Sequence, residues 1–200
     1  SVKLGAFCTA LMLVCWTAVY NFSLAFGGSV KIVVMPKGNA VQAVLYDKTK
    51  GMVFDIGSKG KLNSGMESFL ELYGIKELKG AFIESEQYYT ITKYNEQMTI
   101  RPDRFYINGE PDNDSELPFM TGAQLDWNGV MIEALEGGYK ITTEGSVVTI
   151  EKGSVTINGR NLDTTDEEYP LMIDMKNSQI RRTDYGFAYG LSLIHISEPT

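Results

Sequence analysis

Residues 40–86 constrain the fold of this chain more than any other stretch, because they combine three apolar strands and a helix in a short segment. The apolar runs 41–46 and 52–56 are joined by a polar turn and predict a β-hairpin. The apolar residues of 75–83 predict a further, buried strand after the helix. This order of elements predicts an α/β fold, in which a strand end is a suitable place for a metal or a substrate.

The helix of this stretch has clear start and stop signals. Ser64 and Glu67 have the spacing of a capping box, in which each side chain bonds to the backbone N–H of the other residue. Apolar side chains follow at helical spacing, and Gly74 is placed to end the helix in the left-handed conformation. We therefore predict a helix that packs one face on the neighbouring strands.

The chain is acidic, with 25 carboxylates, 18 basic side chains and a formal net charge of −7 over 200 residues. A broad nucleic-acid surface normally needs clustered Lys and Arg, so this balance argues against one. The length allows one ordinary domain with a short additional segment. The single histidine is His195.

The last residues, 191–200, resemble one translated reading frame of the adapter used in transposase-based sequencing libraries. Non-native tails are left out of fold reasoning. His195 lies inside this tail, so the remaining sequence, residues 1–190, contains no histidine.

Residues 4–26 carry no charge and are long enough to cross a hydrocarbon core of about 30 Å. We expect a transmembrane helix here, with a secretory signal peptide as the alternative. The absence of a start Met favours an internal position. Cys8 and Cys15 are the only cysteines, and we interpret both as packing residues of this helix, since a helix separates them too far for a disulfide.

The rest of the chain is rich in strand signals. Residues 30–35 form a β-rich apolar run, which we expect to build a sheet edge with the hairpin. From residue 129 onwards, apolar and polar residues alternate between Gly-containing breaks, which predicts an antiparallel meander. Two further strands are expected at 169–175 and 179–182. The polar stretch 84–93 is interpreted as a loop leading into an extended or mixed segment, with a second helix over 87–97 as the alternative.

The order of these parts resembles the C-terminal part of ComEC-type competence proteins, which carry DNA across the cell membrane. The resemblance covers residues 4 to about 135 and includes the last transmembrane helix. Its best-matched block is Lys50-Gly51 followed by Phe54-Asp55-Ile56-Gly57, which corresponds to the family pattern GKxxLIDxG.

The resemblance implies an α/β, metallo-β-lactamase-like fold of the αββα-sandwich type. We expect it to be incomplete and preceded by the transmembrane helix. The implied organisation is residues 1–26 as that helix, 27–190 as a truncated domain and 191–200 as the adapter-derived tail.

The metal-binding block of the family, THxHxDHIGG, is lost in this chain. Its ligand positions fall near Ser85, Gln87, Tyr89 and Thr90, which do not form a zinc ligand set. Asp55 and Gly57 are retained, and we interpret Asp55 as a structural residue that caps the following loop. The sequence therefore predicts no metal, no cofactor and no catalytic residues.

The function implied by the resemblance is that of a non-enzymatic accessory domain on the extracytoplasmic side of a DNA-uptake channel in the cell membrane. Single-stranded DNA, through the whole channel, and membrane lipid are the implied partners, and no small-molecule substrate is evident. The alternative is a membrane-anchored or secreted β-rich binding protein with no link to DNA. A third possibility is an active hydrolase that uses Asp55 with Asp103 or Asp126.

Overall fold

The protein is described here from a computed structural model. The structure describes residues 29–58, 65–84, 88–108, 116–162 and 170–182. These residues form two helices, α1 (Gly65–Leu72) and α2 (Tyr88–Gln97). Their strands are, in chain order, β1 (Lys31–Lys37), β2 (Ala40–Asp47), β3 (Lys50–Ile56), β4 (Glu77–Ile83), β5 (Phe105–Ile107), β6 (Glu116–Pro118), β7 (Gln124–Trp127), β8 (Val130–Leu135), β9 (Gly138–Thr142), β10 (Val147–Glu151), β11 (Ser154–Ile157), β12 (Arg160–Asn161), β13 (Leu171–Asp174) and β14 (Gln179–Arg182).

The first sheet has eight strands in the order β14-β13-β1-β2-β3-β4-β5-β6. Its β14–β3 half is antiparallel, whereas β3, β4, β5 and β6 run parallel to one another. Helix α1 makes the crossover from β3 to β4, as a parallel connection requires. Strands β1, β2 and β3 are buried almost throughout, which explains their continuous apolar sequences.

The second sheet is a six-stranded antiparallel meander in the order β12-β11-β10-β9-β8-β7. In β8 and β10, buried and less buried residues alternate. Such alternation is typical of an antiparallel sheet that packs one face on a core and turns the other outward. The predicted meander is therefore confirmed.

Two apolar clusters lie on opposite faces of the first sheet. Alternating residues of β2 divide between them: Val41, Ala43 and Leu45 face the second sheet, while Val44 and Tyr46 face the helices. The layers are thus helices, first sheet and second sheet. The aromatic residues Phe54, Phe82, Phe119 and Tyr139 fill the space between the sheets.

Helix α1 ends as its sequence predicts. Gly74 has φ +64°, and its N–H donates to the carbonyl of Glu71 at 3.0 Å. The N–H of Ile75 donates to the carbonyl of Leu70 at 2.8 Å, which completes a Schellman motif. At the other end, Ser64 lies outside the described residues. The Glu67 carboxylate accepts a hydrogen bond from the N–H of Thr99 at 2.7 Å, so this side chain joins α1 to the end of α2.

The expected αββα sandwich is wrong. The described part of the chain is mostly strand, and both of its helices pack on the same outer face of the first sheet. Outward positions of the second sheet carry polar side chains such as Glu133, Lys140 and Thr149. A second helical layer would need apolar residues there, so the αββα arrangement and the metallo-β-lactamase-like fold are not supported.

The expectation of a transmembrane helix followed by this sandwich is corrected as well. Residues 4–26 lie outside the described residues. Within the part of the chain that the structure describes, no helix has the length and apolar character needed to cross a membrane. The described residues form a β-rich fold of two sheets.

Two local expectations also need correction. Strands β1, β2 and β3 lie in the middle of the first sheet and not at an edge, because β13 and β14 pair outside β1. In the stretch 84–93, Tyr, Thr and Ile favour an extended segment over a helix at 87–97, yet the structure has helix α2 there, so the alternative is the correct one. Packing of Ile91, Tyr94 and Met98 on the first sheet outweighs the low helix propensity of its neighbours.

Candidate functional site

Asp55 is the retained motif residue, and it is placed at the carboxyl end of β3, in the middle of the first sheet. Asp55 is fully buried. Asp55 lies between the buried residues Phe54 and Ile56, so its carboxyl group is buried together with its neighbours in β3. A buried carboxyl needs hydrogen-bond donors around it, because burial otherwise costs several kcal/mol.

Three side chains and one backbone N–H supply these donors. Oδ2 of Asp55 accepts hydrogen bonds from Gln42 Nε2 at 3.0 Å, Ser58 Oγ at 2.7 Å and Tyr94 Oη at 3.1 Å. Oδ1 accepts from the backbone N–H of Ser58 at 3.3 Å. We call Gln42, Asp55, Ser58 and Tyr94 the Asp55 network.

The members of the Asp55 network come from three separate elements. Gln42 lies in β2, directly opposite Asp55 in the β2–β3 register. Ser58 follows the turn at Gly57, whose φ of +74° reverses the chain and brings Ser58 back to the carboxylate. Tyr94 projects from α2, and its ring meets Phe105 edge-on at 6.5 Å. The network therefore ties a helix and a turn to the centre of the sheet.

The electrostatics reflect the burial of the network. Burial raises the pKa of the Asp55 carboxyl above its ordinary value, and the hydrogen bonds from Ser58, Gln42 and Tyr94 offset part of that rise. Burial, together with the nearby Asp55 charge, raises the pKa of the Tyr94 hydroxyl well above its ordinary value. The Tyr94 hydroxyl therefore keeps its proton at neutral pH and donates a hydrogen bond to Asp55.

Glu84 lies next to the Asp55 network and is linked to it through the backbone. Its backbone N–H donates to the carbonyl of Asp55 at 3.3 Å. The pKa of Tyr139 is raised mainly by the burial of its own hydroxyl and, to a smaller extent, by the nearby Glu84 carboxylate. Glu86, the next glutamate along the chain, lies outside the described residues.

The positions predicted to have lost their ligands are only partly described. Ser85 and Gln87 lie outside the described residues. Tyr89 and Thr90 belong to the first turn of α2 by their backbone. Among the residues that the structure describes, no group of three or more His, Cys, Asp or Glu side chains is placed to hold a metal.

Asp103 and Asp126 are not brought together with Asp55. Strands β3, β4 and β5 are parallel, and Asp55 ends β3, whereas Asp103 precedes β5. Asp103 lies near Asp126 and Lys50, at the opposite end of these strands, and pairs with Lys79 at 3.1 Å. The three carboxylates therefore do not share a site.

Gln42 and Tyr94 are the members of the Asp55 network that sequence reasoning missed. Gln42 is the one polar residue inside the apolar run 41–46, and a polar side chain at such a position needs a buried partner. Ile91, Tyr94 and Met98 have helical spacing, which marks Tyr94 as a residue that faces the sheet. Both signals were present, but only the fold shows that they converge on Asp55.

Comparison with known proteins gives no relationship from which a function could be taken: no protein-family model and no curated protein matches this chain.

Proposed function

We propose that the described part of the chain is a non-catalytic domain, and that Asp55 serves its architecture. The observation that carries this proposal is the hydrogen bonding of the Asp55 carboxylate inside the protein: both oxygens accept hydrogen bonds, and Oδ2 accepts three. A carboxylate that binds a metal or activates water needs a free lone pair directed at the reacting atom. Asp55 instead directs its oxygens at Gln42, Ser58 and Tyr94.

A hydrolysis assay tests this proposal. The full chain is incubated with single-stranded and double-stranded DNA in the presence of added Zn²⁺ or Mn²⁺, and beside it the variant Asp55→Asn, which keeps the shape of the side chain. We expect no metal-dependent cleavage by either protein. Cleavage that requires the metal and disappears in Asp55→Asn would overturn the proposal.

We further propose that this domain is an accessory part of a DNA-uptake protein and works outside the cytoplasm. This proposal is supported by the order of sequence blocks around Lys50-Gly51 and Phe54-Asp55-Ile56-Gly57, which resembles ComEC-type proteins. In this role the domain contributes to the shape and stability of the uptake protein. It neither reads the bases of the DNA nor cleaves its phosphodiester bonds.

A transformation assay in the source host separates this role from the alternatives. Asp55→Ala, which removes the acceptor of the whole network, is expected to lower DNA uptake because the domain loses stability. Asp55→Asn is expected to keep most of the uptake, since it retains an acceptor and the side-chain shape. Unchanged uptake in Asp55→Ala, with the protein shown to be unfolded, would refute a role in DNA uptake.

A β-rich binding protein without a link to DNA is the second candidate. The net charge of −7 favours it, because an acidic surface repels the phosphates of nucleic acids. The transformation assay decides between the two candidates, since only the first predicts a loss of uptake.

A further inference from the structure

A groove lies at the end of the fold opposite to Asp55, lined by residues of both sheets. Its volume is about 400 Å³. The parallel strands β3, β4 and β5 begin at this groove, and the last residues of β7 form its other wall. None of the Asp55 network takes part in it. We call it the β5–β7 groove.

Two half-buried aromatic side chains, Tyr106 and Trp127, line the β5–β7 groove. The ring of Tyr106 stacks on Phe82 at 4.6 Å and 14° and meets Phe119 edge-on at 5.8 Å. Gly80 makes this position possible, because a Cβ atom there would lie 2.6 Å from Cε2 of Tyr106. The Tyr106 ring is therefore held in place before any ligand arrives, which lowers the entropic cost of binding.

Trp127 is half-buried and lines the groove. It packs against the apolar cluster between the sheets and ends β7, where it pairs with Val130. A half-buried Trp offers a flat apolar surface together with one N–H donor, which is the combination that ligand sites use most.

The charged side chains around these rings are mixed in sign. Lys79 contacts Glu77 at 2.7 Å and Asp103 at 3.1 Å, so its charge is largely balanced. Arg104 is exposed and makes no ion pair with another described residue. Oδ1 of Asp126 accepts a hydrogen bond from the N–H of Gly129 at 3.2 Å. This hydrogen bond within the turn does not involve Oδ2.

We propose that the β5–β7 groove binds a saccharide unit of a neutral glycan. One face of a pyranose ring carries only C–H groups and stacks on an aromatic side chain, while its hydroxyl groups both donate and accept hydrogen bonds. Trp127 supplies the stacking surface. The Arg104 guanidinium can donate hydrogen bonds and the Asp126 carboxylate can accept them. A sugar hydroxyl, which both donates and accepts, therefore has both kinds of partner in the same groove.

The same observations disfavour a nucleic acid in the β5–β7 groove. A groove that binds single strands combines aromatic platforms with a positive track for the phosphates. Here Asp103 and Asp126 interrupt such a track, Lys79 is already paired with two carboxylates, and Lys50 lies 4.0 Å from Glu77. A neutral ligand is therefore a better match than a polyanion. This assignment does not depend on a role in DNA uptake.

Intrinsic fluorescence tests the proposal with the full chain. The chain has two tryptophans, Trp16 and Trp127, so the variant Trp16→Phe leaves Trp127 as the only indole that reports. This protein is titrated with cello-, chito- and malto-oligosaccharides and, separately, with oligothymidylate. We expect a saturable change in Trp127 fluorescence with at least one oligosaccharide series, and an affinity that does not depend on salt.

Two substitutions in the same background locate the site. Arg104→Ala removes an exposed donor and is expected to weaken binding about tenfold, with the fold unchanged. Met131→Ala changes an exposed side chain of β8 that does not line the groove, and its binding is expected to stay the same. Circular dichroism checks that both variants are folded.

The outcomes separate clearly. Saturable binding of an oligosaccharide that is weakened by Arg104→Ala and not by Met131→Ala supports the proposal. The absence of a response to every oligosaccharide overturns it. A response to oligothymidylate alone, falling steeply with added salt, also overturns it and assigns the groove to nucleic acid.

Discussion

The Asp55 carboxylate shows how one residue can keep a motif and lose its chemistry. Its position at the end of a buried strand resembles that of a metal ligand, yet its oxygens are committed to Gln42, Ser58 and Tyr94. Buried polar networks of this kind are stable only when every member is satisfied. The sequence singles out Asp55 as a structural residue of the motif. Its hydrogen-bond partners cannot be predicted in the same way, because they depend on the pairing of β2 with β3 and on the placement of α2.

Buried tyrosines make the stability of the protein sensitive to high pH. Burial raises the pKa of Tyr46, Tyr94 and Tyr139 above their ordinary value. Above about pH 10 the unfolded chain releases these protons while the folded protein retains them. Stability is therefore complete below that pH and decreases as the pH rises further, since the folded state binds more protons.

Urea unfolding at several alkaline pH values measures this dependence. In Tyr139→Phe, which keeps the ring and removes the ionisable group, the decrease in unfolding free energy with pH is expected to be shallower than in the parent protein. Equal slopes for the two proteins would show that Tyr139 does not contribute.

At the scale of single elements, the sequence predicted most where the signals were local. The strands, the meander and the end of α1 follow from apolar periodicity and from glycine positions. For α2 the sequence favours an extended segment over a helix at 87–97, because Tyr, Thr and Ile lower local helix propensity and the contact of Tyr94 with the sheet is not visible in the sequence. The capping residue Glu67 bonds to Thr99, a residue far along the chain, which no local rule predicts.

The end of α1 gives a direct test of the local account. Gly74→Ala places a Cβ atom at a left-handed position, φ +64°, and is expected to lower the free energy of unfolding by about 1 kcal/mol. Gly74→Asn is the matched control and is expected to cost less, because Asn adopts this conformation more readily. Chemical denaturation measures both. A Gly74→Ala protein as stable as the parent would contradict the Schellman assignment.

At the scale of the whole molecule, the αββα expectation came from the order of blocks and not from the residues after 129. Those residues alternate apolar and polar side chains, with Glu133, Lys140 and Thr149 turned outward. Their pattern alone predicts a sheet with one outward polar face. The αββα prediction follows the resemblance, whereas the fold follows this local pattern.

The aromatic cluster between the sheets is expected to make them unfold as one unit. Phe82 of the first sheet stacks on Phe54 at 4.8 Å and meets Tyr139 of the second sheet at 5.5 Å. Phe82→Ala removes these contacts and is expected to lower stability by about 3–5 kcal/mol. Leu72→Ala, at a side chain that is 56 % exposed, is the control and is expected to change stability by less than about 0.5 kcal/mol.

Urea unfolding of the parent protein is followed by Trp fluorescence and by circular dichroism. Coincident transitions are expected, because both sheets share the cluster. Two separate transitions would show that the sheets are independent units.

The architectural role of Asp55 is tested most directly by a double-mutant cycle with Tyr94. Asp55→Ala, Tyr94→Phe and the double variant are unfolded in urea at neutral pH, and the coupling free energy is taken from the four unfolding free energies. We expect Asp55→Ala to cost about 3 kcal/mol, since it leaves buried donors without this acceptor. The coupling is expected to be about 1.5–3 kcal/mol, the value of a buried hydrogen bond to a charged group. A coupling near zero, with Asp55→Ala as stable as the parent protein, would contradict the account.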